Sequence, residues 1–244
     1  MTGIKFVKTA GATAAVALLG LAGISITSTR VHADSDESDS KVQIGFNVAP
    51  VKLNLKGLNR ALVGKGSYLV NVIGDCNGCH QSPDIGPEYL AGGNPFFNQH
   101  PTLVNPASYL GGGRTFATFP GGAVIQSRNL TPDKTGHAEG GASLAEFKEI
   151  MRTGKDFDHI HPPCPAQGPD KCIQPFVGDG NLLQIMPWPS FSNLSDNDLE
   201  AIYEYLSAIP CIAHSPGAIS VPASAGPPPV AAIPVLANVF NTCH

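Results

Sequence analysis

Methionine and tryptophan are nearly absent from this chain, with three Met and one Trp among 244 residues. Charge is sparse as well, at 14% of residues, and the balance is slightly acidic at −4. A protein that binds nucleic acid needs a basic face, and this composition offers none. Past Ile26 there is no long apolar run, so no later segment reads as a membrane span. Internal repeats are missing too, and the chain reads as one domain.

The N-terminus is the first informative segment. Lys5 and Lys8 precede an uncharged apolar run from Ala10 to Ile26, and Val31-His32-Ala33 offers a small-residue cleavage site. This is the pattern of a secretory signal peptide, residues 1–33. The alternative is an uncleaved membrane anchor, for which the Ala/Gly/Thr-rich run is short. The segment carries Lys5, Lys8 and Arg30 and no acid, so cleavage leaves 211 residues and moves the net charge from −4 to −7. An acidic exported protein favours partners with a basic docking patch. The expected location is periplasmic or otherwise exported, soluble after cleavage, with a membrane association only if the signal segment stays.

Six cysteines remain in the exported chain: Cys76, Cys79, Cys164, Cys172, Cys211 and Cys243. Thiols pair in an oxidising compartment. If the first two are otherwise engaged, neighbourhood favours Cys164–Cys172 and Cys211–Cys243, one of three possible pairings.

Hydrophobic spacing and caps place three helices. Leu62, Gly66, Leu69, Val70 and Ile73 share a face of a helix from about Asn59 to Ile73, ended by Gly74. Ser143-Leu-Ala-Glu146 is a capping box ahead of Phe147, Ile150 and Met151, and Gly154 stops that helix. Ser195-Asp-Asn-Asp198 caps the last helix, whose stripe is Leu199, Ile202, Tyr203 and Leu206 before Pro210. Between them lie Gly/Pro-rich loops, including GGG at 111–113, and room for one short strand or β-hairpin near Val124–Leu130. Residues 34–57 read as a flexible, partly extended start, 58–210 as the folded domain and 211–244 as a Pro/Ala-rich tail.

The chemistry sits in Cys76-Asn77-Gly78-Cys79-His80, the C-x-x-C-H pattern of covalent haem attachment. Two thiols one turn apart can bond the two vinyl groups on one edge of a haem, and the adjacent imidazole then reaches the iron. A zinc site would need a second pair of soft ligands at the usual spacing, which Cys164 and Cys172 do not supply. A thioredoxin-like pair would follow a strand rather than a helix. A second axial ligand is expected from Met186, because Met1 leaves with the signal and Met151 lies on the apolar side of its helix. The segment Met-Pro-Trp-Pro pre-sets the backbone around that sulfur. His100, His137, His159, His161, His214 and His244 are the competing ligands; as loop histidines they read as surface residues. The expected function is one-electron transfer by one covalent haem c. The rival readings are a haem enzyme of peroxidase type and a haem-based sensor, both of which need an open coordination site.

From Asn59 to Pro210 the chain resembles class I-like cytochrome c domains. It is most similar to the haem modules in cytochrome subunits of periplasmic membrane-bound dehydrogenases serving alcohol, gluconate and nicotinate-type enzymes. The residues that carry this are G-x-Y-L-V at 66–70, CNGCH at 76–80, LAGG at 90–93, SRNLTPDKTG at 127–136, EFKEIMRTGKD at 146–156 and MPWPSFSNLSDNDLEAIYEYL at 186–206. The resemblance implies an all-α cytochrome c fold with long Gly/Pro-rich loops, whose first and last helices cross with Gly66 against Tyr205 or Leu206. It also implies that Arg128 and Asn129 lie near the haem propionates or line the pocket. The implied partners are redox proteins, among them a dehydrogenase subunit. Such subunits usually carry three modules, whereas this chain has one motif; residue 240 is Phe, so Cys243-His244 is no second site.

Overall fold

The computed structural model describes residues 36–118, 124–155, 182–183, 185–213 and 243. The proposed signal segment, the pair Cys164/Cys172, and His159, His161, His214 and His244 lie outside the described residues. The chain divides into two compact units, Met1–Ser40 and Lys41–His244. Residues 36–40 of the first and 41–48 of the second are helical.

The second unit is built on helices, as an all-α domain requires. Helix α1 is Arg60–Tyr68, and Asn59 caps it by accepting bonds from the Ala61 and Leu62 amides. A π-helical turn, Leu69–Ile73, extends α1 up to Gly74. Helix α2 is the motif itself, Cys76–His80. Helix α3, Leu144–Thr153, and helix α5, Asp196–Ala208, begin with the two expected capping boxes, both fully formed. The short helix α4, Trp188–Phe191, precedes α5. A two-stranded antiparallel hairpin, β1 (Thr115–Thr118) and β2 (Val124–Gln126), is the strand pair of the domain among the described residues. The strand expected over 124–130 therefore stops at Gln126. Beyond it the backbone continues alongside 110–114 instead, with Ser127 N donating to Arg114 O and Leu130 N to Leu110 O.

The core forms where α1 crosses α5, with Val63, Val70, Leu199, Tyr205, Leu206 and Phe147 among its buried side chains. The crossing is close because Gly66 has no side chain. A Cβ there would collide with the Ala201 carbonyl oxygen and lie 2.8 Å from Tyr205 Cβ. Tyr205 is thus the contact the resemblance implied, and Ala201 lies closer still. Polar ties frame the crossing: Lys65 Nζ lies 2.7 Å from Asp198 Oδ1, Asn59 N donates to Glu204 Oε2 and Asn54 N to Ala208 O.

Two expectations need correction. The buried face of α1 is Val63, Gly64, Gly66 and Ser67, continued by Val70, while Ile73 is 64% exposed. The π-turn adds a residue to the winding, so helical spacing counted from Leu62 drifts off the face by Ile73. Residues 41–48 are helix rather than extended chain. Their partner is α1: Ser67 Oγ donates to Gly45 O at 2.6 Å, and the Arg60 guanidinium stands 4.3 Å above the Phe46 ring. Composition alone misses this, because the apolar face of that helix is narrow and its stabilisation comes from α1.

Candidate haem site

The site starts where helix winding changes. The π-turn ends α1 at Gly74, Asp75 takes a left-handed conformation with φ 42°, and α2 begins at once. One turn of helix puts the Cys76 and Cys79 thiols three residues apart, the spacing the motif was read for. Both are free thiols, Cys79 exposed and Cys76 half-buried. Burial pushes the Cys76 thiol up to about 12, helped by Asp75 and by Cys79.

Beneath Cys76 lies a buried polar cluster. Tyr109 Oη donates to Asn71 Oδ1 at 2.6 Å, the Tyr109 and Tyr205 hydroxyls meet at 2.9 Å, and Asn71 Nδ2 bonds the Ser67 carbonyl and hydroxyl. Both tyrosines are almost fully buried. Asn71 belongs to the π-turn, so the unusual winding brings its amide among the hydroxyls. This cluster ties α1, α5 and the loop that carries Tyr109 together next to the motif.

His80 is held at both ends. Its ring Nδ1 donates to the Arg128 carbonyl at 2.8 Å, and its own carbonyl accepts from Gly112 N at 2.6 Å. Desolvation pushes the imidazole below its ordinary value, and the Arg128 charge acts in the same sense against the bond from its carbonyl. A neutral ring with Nδ1 engaged leaves Nε2 as the free donor atom, the arrangement typical of metal-bound histidines. Gly112 makes the second tie possible. It has φ 73°, and a Cβ there would lie 2.5 Å from the backbone of Arg128 and Asn129.

Arg128 and Asn129 both fall at this site. The Arg128 guanidinium pairs with Glu139 at 3.6 Å. The Asn129 amide reaches Ile212 O at 2.8 Å, while its Oδ1 accepts from the Thr131 amide and hydroxyl. Ile212 N in turn donates to Thr131 Oγ1. The start of the tail is thereby bound to the segment behind His80, and Cys211 is pinned beside it by a disulfide to Cys243. Arg114 Nη1 donates to the Gly78 carbonyl and couples the hairpin to α2.

Met186 is half-buried, packs against the core and precedes α4, with Trp188 N donating to its carbonyl. Met151, by contrast, is 6% exposed within the core, as its place on α3 predicted. His100 and His137 are exposed. Sequence reasoning missed Gly112, Glu139, Asn71 and Arg114. The GGG run was the visible signal for the first; for Glu139 nothing in the spacing points to Arg128.

An all-α domain carrying a C-x-x-C-H helix, with the imidazole of its histidine fixed through Nδ1 to the Arg128 carbonyl, has the architecture of a c-type cytochrome module. The comparisons agree. The chain is 32% identical over 149 residues to the gluconate 2-dehydrogenase cytochrome c subunit of Pantoea cypripedii, covering 60% of this chain and 23% of that one. It is 29% identical over 147 residues to the cytochrome c subunit of a quinone alcohol dehydrogenase from Gluconacetobacter polyoxogenes, covering 59% and 21%. A fructose dehydrogenase cytochrome subunit from Gluconobacter japonicus is 26% identical over 164 residues, covering 66% and 24%. The chain thus matches one haem module of such dehydrogenase cytochrome subunits, and the matched segment spans less than a quarter of their length. No family model and no solved structure matches it.

Proposed function

We propose that this chain is an exported electron-transfer cytochrome that carries one covalent haem c and passes single electrons between a dehydrogenase and a respiratory acceptor. The observation that carries the reading is the donor set: two free thiols on one turn of helix, followed by an imidazole whose Nδ1 is already committed to the Arg128 carbonyl. That set fits a haem c. Residues 1–33 serve as the signal peptide, 58–210 as the haem module and 211–244 as a stapled tail. Among the described residues no helix is long and apolar enough to cross a membrane.

A bound haem supplies the one-electron couple. The protein's part is to bind, orient and tune it. Cys76 and Cys79 tether it, which prevents loss outside the cell. His80 would offer Nε2 to the iron; Arg128 O fixes its ring and Gly112 N its backbone carbonyl. Met186 would be the second protein ligand; its thioether would favour the ferrous form and raise the potential. Arg128 and Asn129 serve as the wall behind the ligand, the pocket-lining one of the two places the resemblance implied.

Carbon monoxide tests this. A wild-type ferrous protein with Met186 bound should not take it up, whereas Met186→Ala should bind it and lose the weak far-red sulfur-to-iron band of the ferric form. Met186→His should keep the haem and lower the midpoint potential. Met151→Leu should leave the spectrum unchanged, because a volume-conserving core swap costs little. A wild type that binds carbon monoxide supports an enzyme or sensor instead, and a band that survives Met186→Ala assigns the ligand elsewhere.

A further inference from the structure

The segment SRNLTPDKTGHAEGG does more than contribute the carbonyl to His80. It doubles back on itself. Asp133 N donates to His137 O, Glu139 N to Leu130 O at 3.2 Å and Gly140 N to Thr131 O at 3.1 Å. The fold-back delivers the Glu139 side chain to Arg128, where the pair is 3.6 Å apart with only 6% and 12% of the two side chains exposed. Glu139 sits at φ 50°, ψ 49°, in the left-handed region that a non-glycine residue adopts only at a steric cost. Glycine would fit that backbone more easily, and Gly140 and Gly141 follow it. A carboxylate held in such a conformation and removed from water is maintained against both costs.

We propose that Glu139 is a positioning residue for the His80 ligand, acting through Arg128: it neutralises the guanidinium and fixes the residue whose carbonyl aims the imidazole, and so sets the reduction potential of the haem. This rests on the proposed haem function. Without the carboxylate, the charge balance beside the ligand moves one unit toward positive and favours the reduced iron, and the Arg128 carbonyl is less firmly held.

The test uses full-length holoprotein from a host that attaches haem c, comparing midpoint potential, ferric electron paramagnetic resonance g-values and thermal stability. Glu139→Gln should raise the midpoint potential and shift the g-values. Glu139→Asp keeps the charge and should bring the potential back toward wild type even where stability falls. The double variant Arg128→Gln/Glu139→Gln removes both charges and should also lie near wild type in potential. A Glu139→Gln protein that is less stable but unchanged in potential and g-values has lost a merely structural contact, and the proposal fails. If that variant yields no holoprotein, Arg128→Lys takes its place: g-values that move at a preserved potential support the proposal, and unmoved g-values overturn it. A wild type without covalent haem defeats the functional reading itself, and this is scored before any variant is compared.

Discussion

The α1–α5 crossing and the wall behind His80 are both close-packed, yet different forces hold them. The crossing is shape and apolar burial: Gly66 admits the Ala201 carbonyl, and Val63, Leu199 and Leu206 fill around it. The wall also buries Leu110 and Leu130, but most of its ties are polar. Backbone bonds from Gly112, Gly113 and Leu130, the Asn129 amide and the Arg128–Glu139 pair do that work. The first region sets overall stability, and the second sets the geometry of one imidazole. Substitutions should therefore separate the two readouts.

The largest effect is expected at the crossing. Gly66→Leu forces the helix backbones apart and should cost about 3 kcal/mol or more by urea denaturation, with little folded protein at 37 °C. Opening the tail staple by Cys211→Ser with Cys243→Ser comes next. The bond closes a separation of 32 residues, and the chain-entropy estimate is roughly 3–4 kcal/mol. Gly112→Ala should cost about 2 kcal/mol, from the positive φ and the clash with Arg128. Unlike the other two, it should also disturb the His80 ligand spectrum. A Gly112→Ala protein with normal ligand signals would erase the distinction between the regions.

Smaller effects sharpen the comparison. Ser195→Ala should cost about 1 kcal/mol through the lost cap of α5, with no spectral change. The capping carboxylates also give a pH dependence. Burial pushes Asp198 up, but bonds from Lys65 and Ser195 outweigh it and hold the carboxyl below its ordinary value. Bonds from the Ser143 backbone and hydroxyl hold Glu146 low in the same way. Groups depressed in the folded state add stability that is present above the ordinary carboxylate value, about pH 4, and lost as pH falls through the lower folded value. Melting temperature should accordingly fall on acidification below about pH 4, and less steeply in Ser195→Ala.

The same division decides what was legible in the sequence. Ser143/Glu146 and Ser195/Asp198 announced two helix starts, because caps act within a few residues; the close crossing at Gly66 was implied only by the resemblance to cytochrome c domains. The helix over 41–48 was hidden, since its support is Ser67 and Arg60 on another element. Ile73 was misplaced because a π-turn cannot be read from spacing. CNGCH carries its haem-attachment reading in its own spacing. Its supports, the Arg128 carbonyl and the Gly112 amide, are backbone atoms at residues 48 and 32 positions away, and no side-chain pattern marks a carbonyl.

The central claim is that Cys76 and Cys79 tether one haem. Intact mass and absorption of the wild-type protein, expressed with haem c attachment machinery and then denatured, test it directly. The account predicts a mass equal to residues 34–244 plus one haem, and colour that survives acid-acetone extraction. Colour lost to the solvent, or the mass of the bare polypeptide, would contradict it.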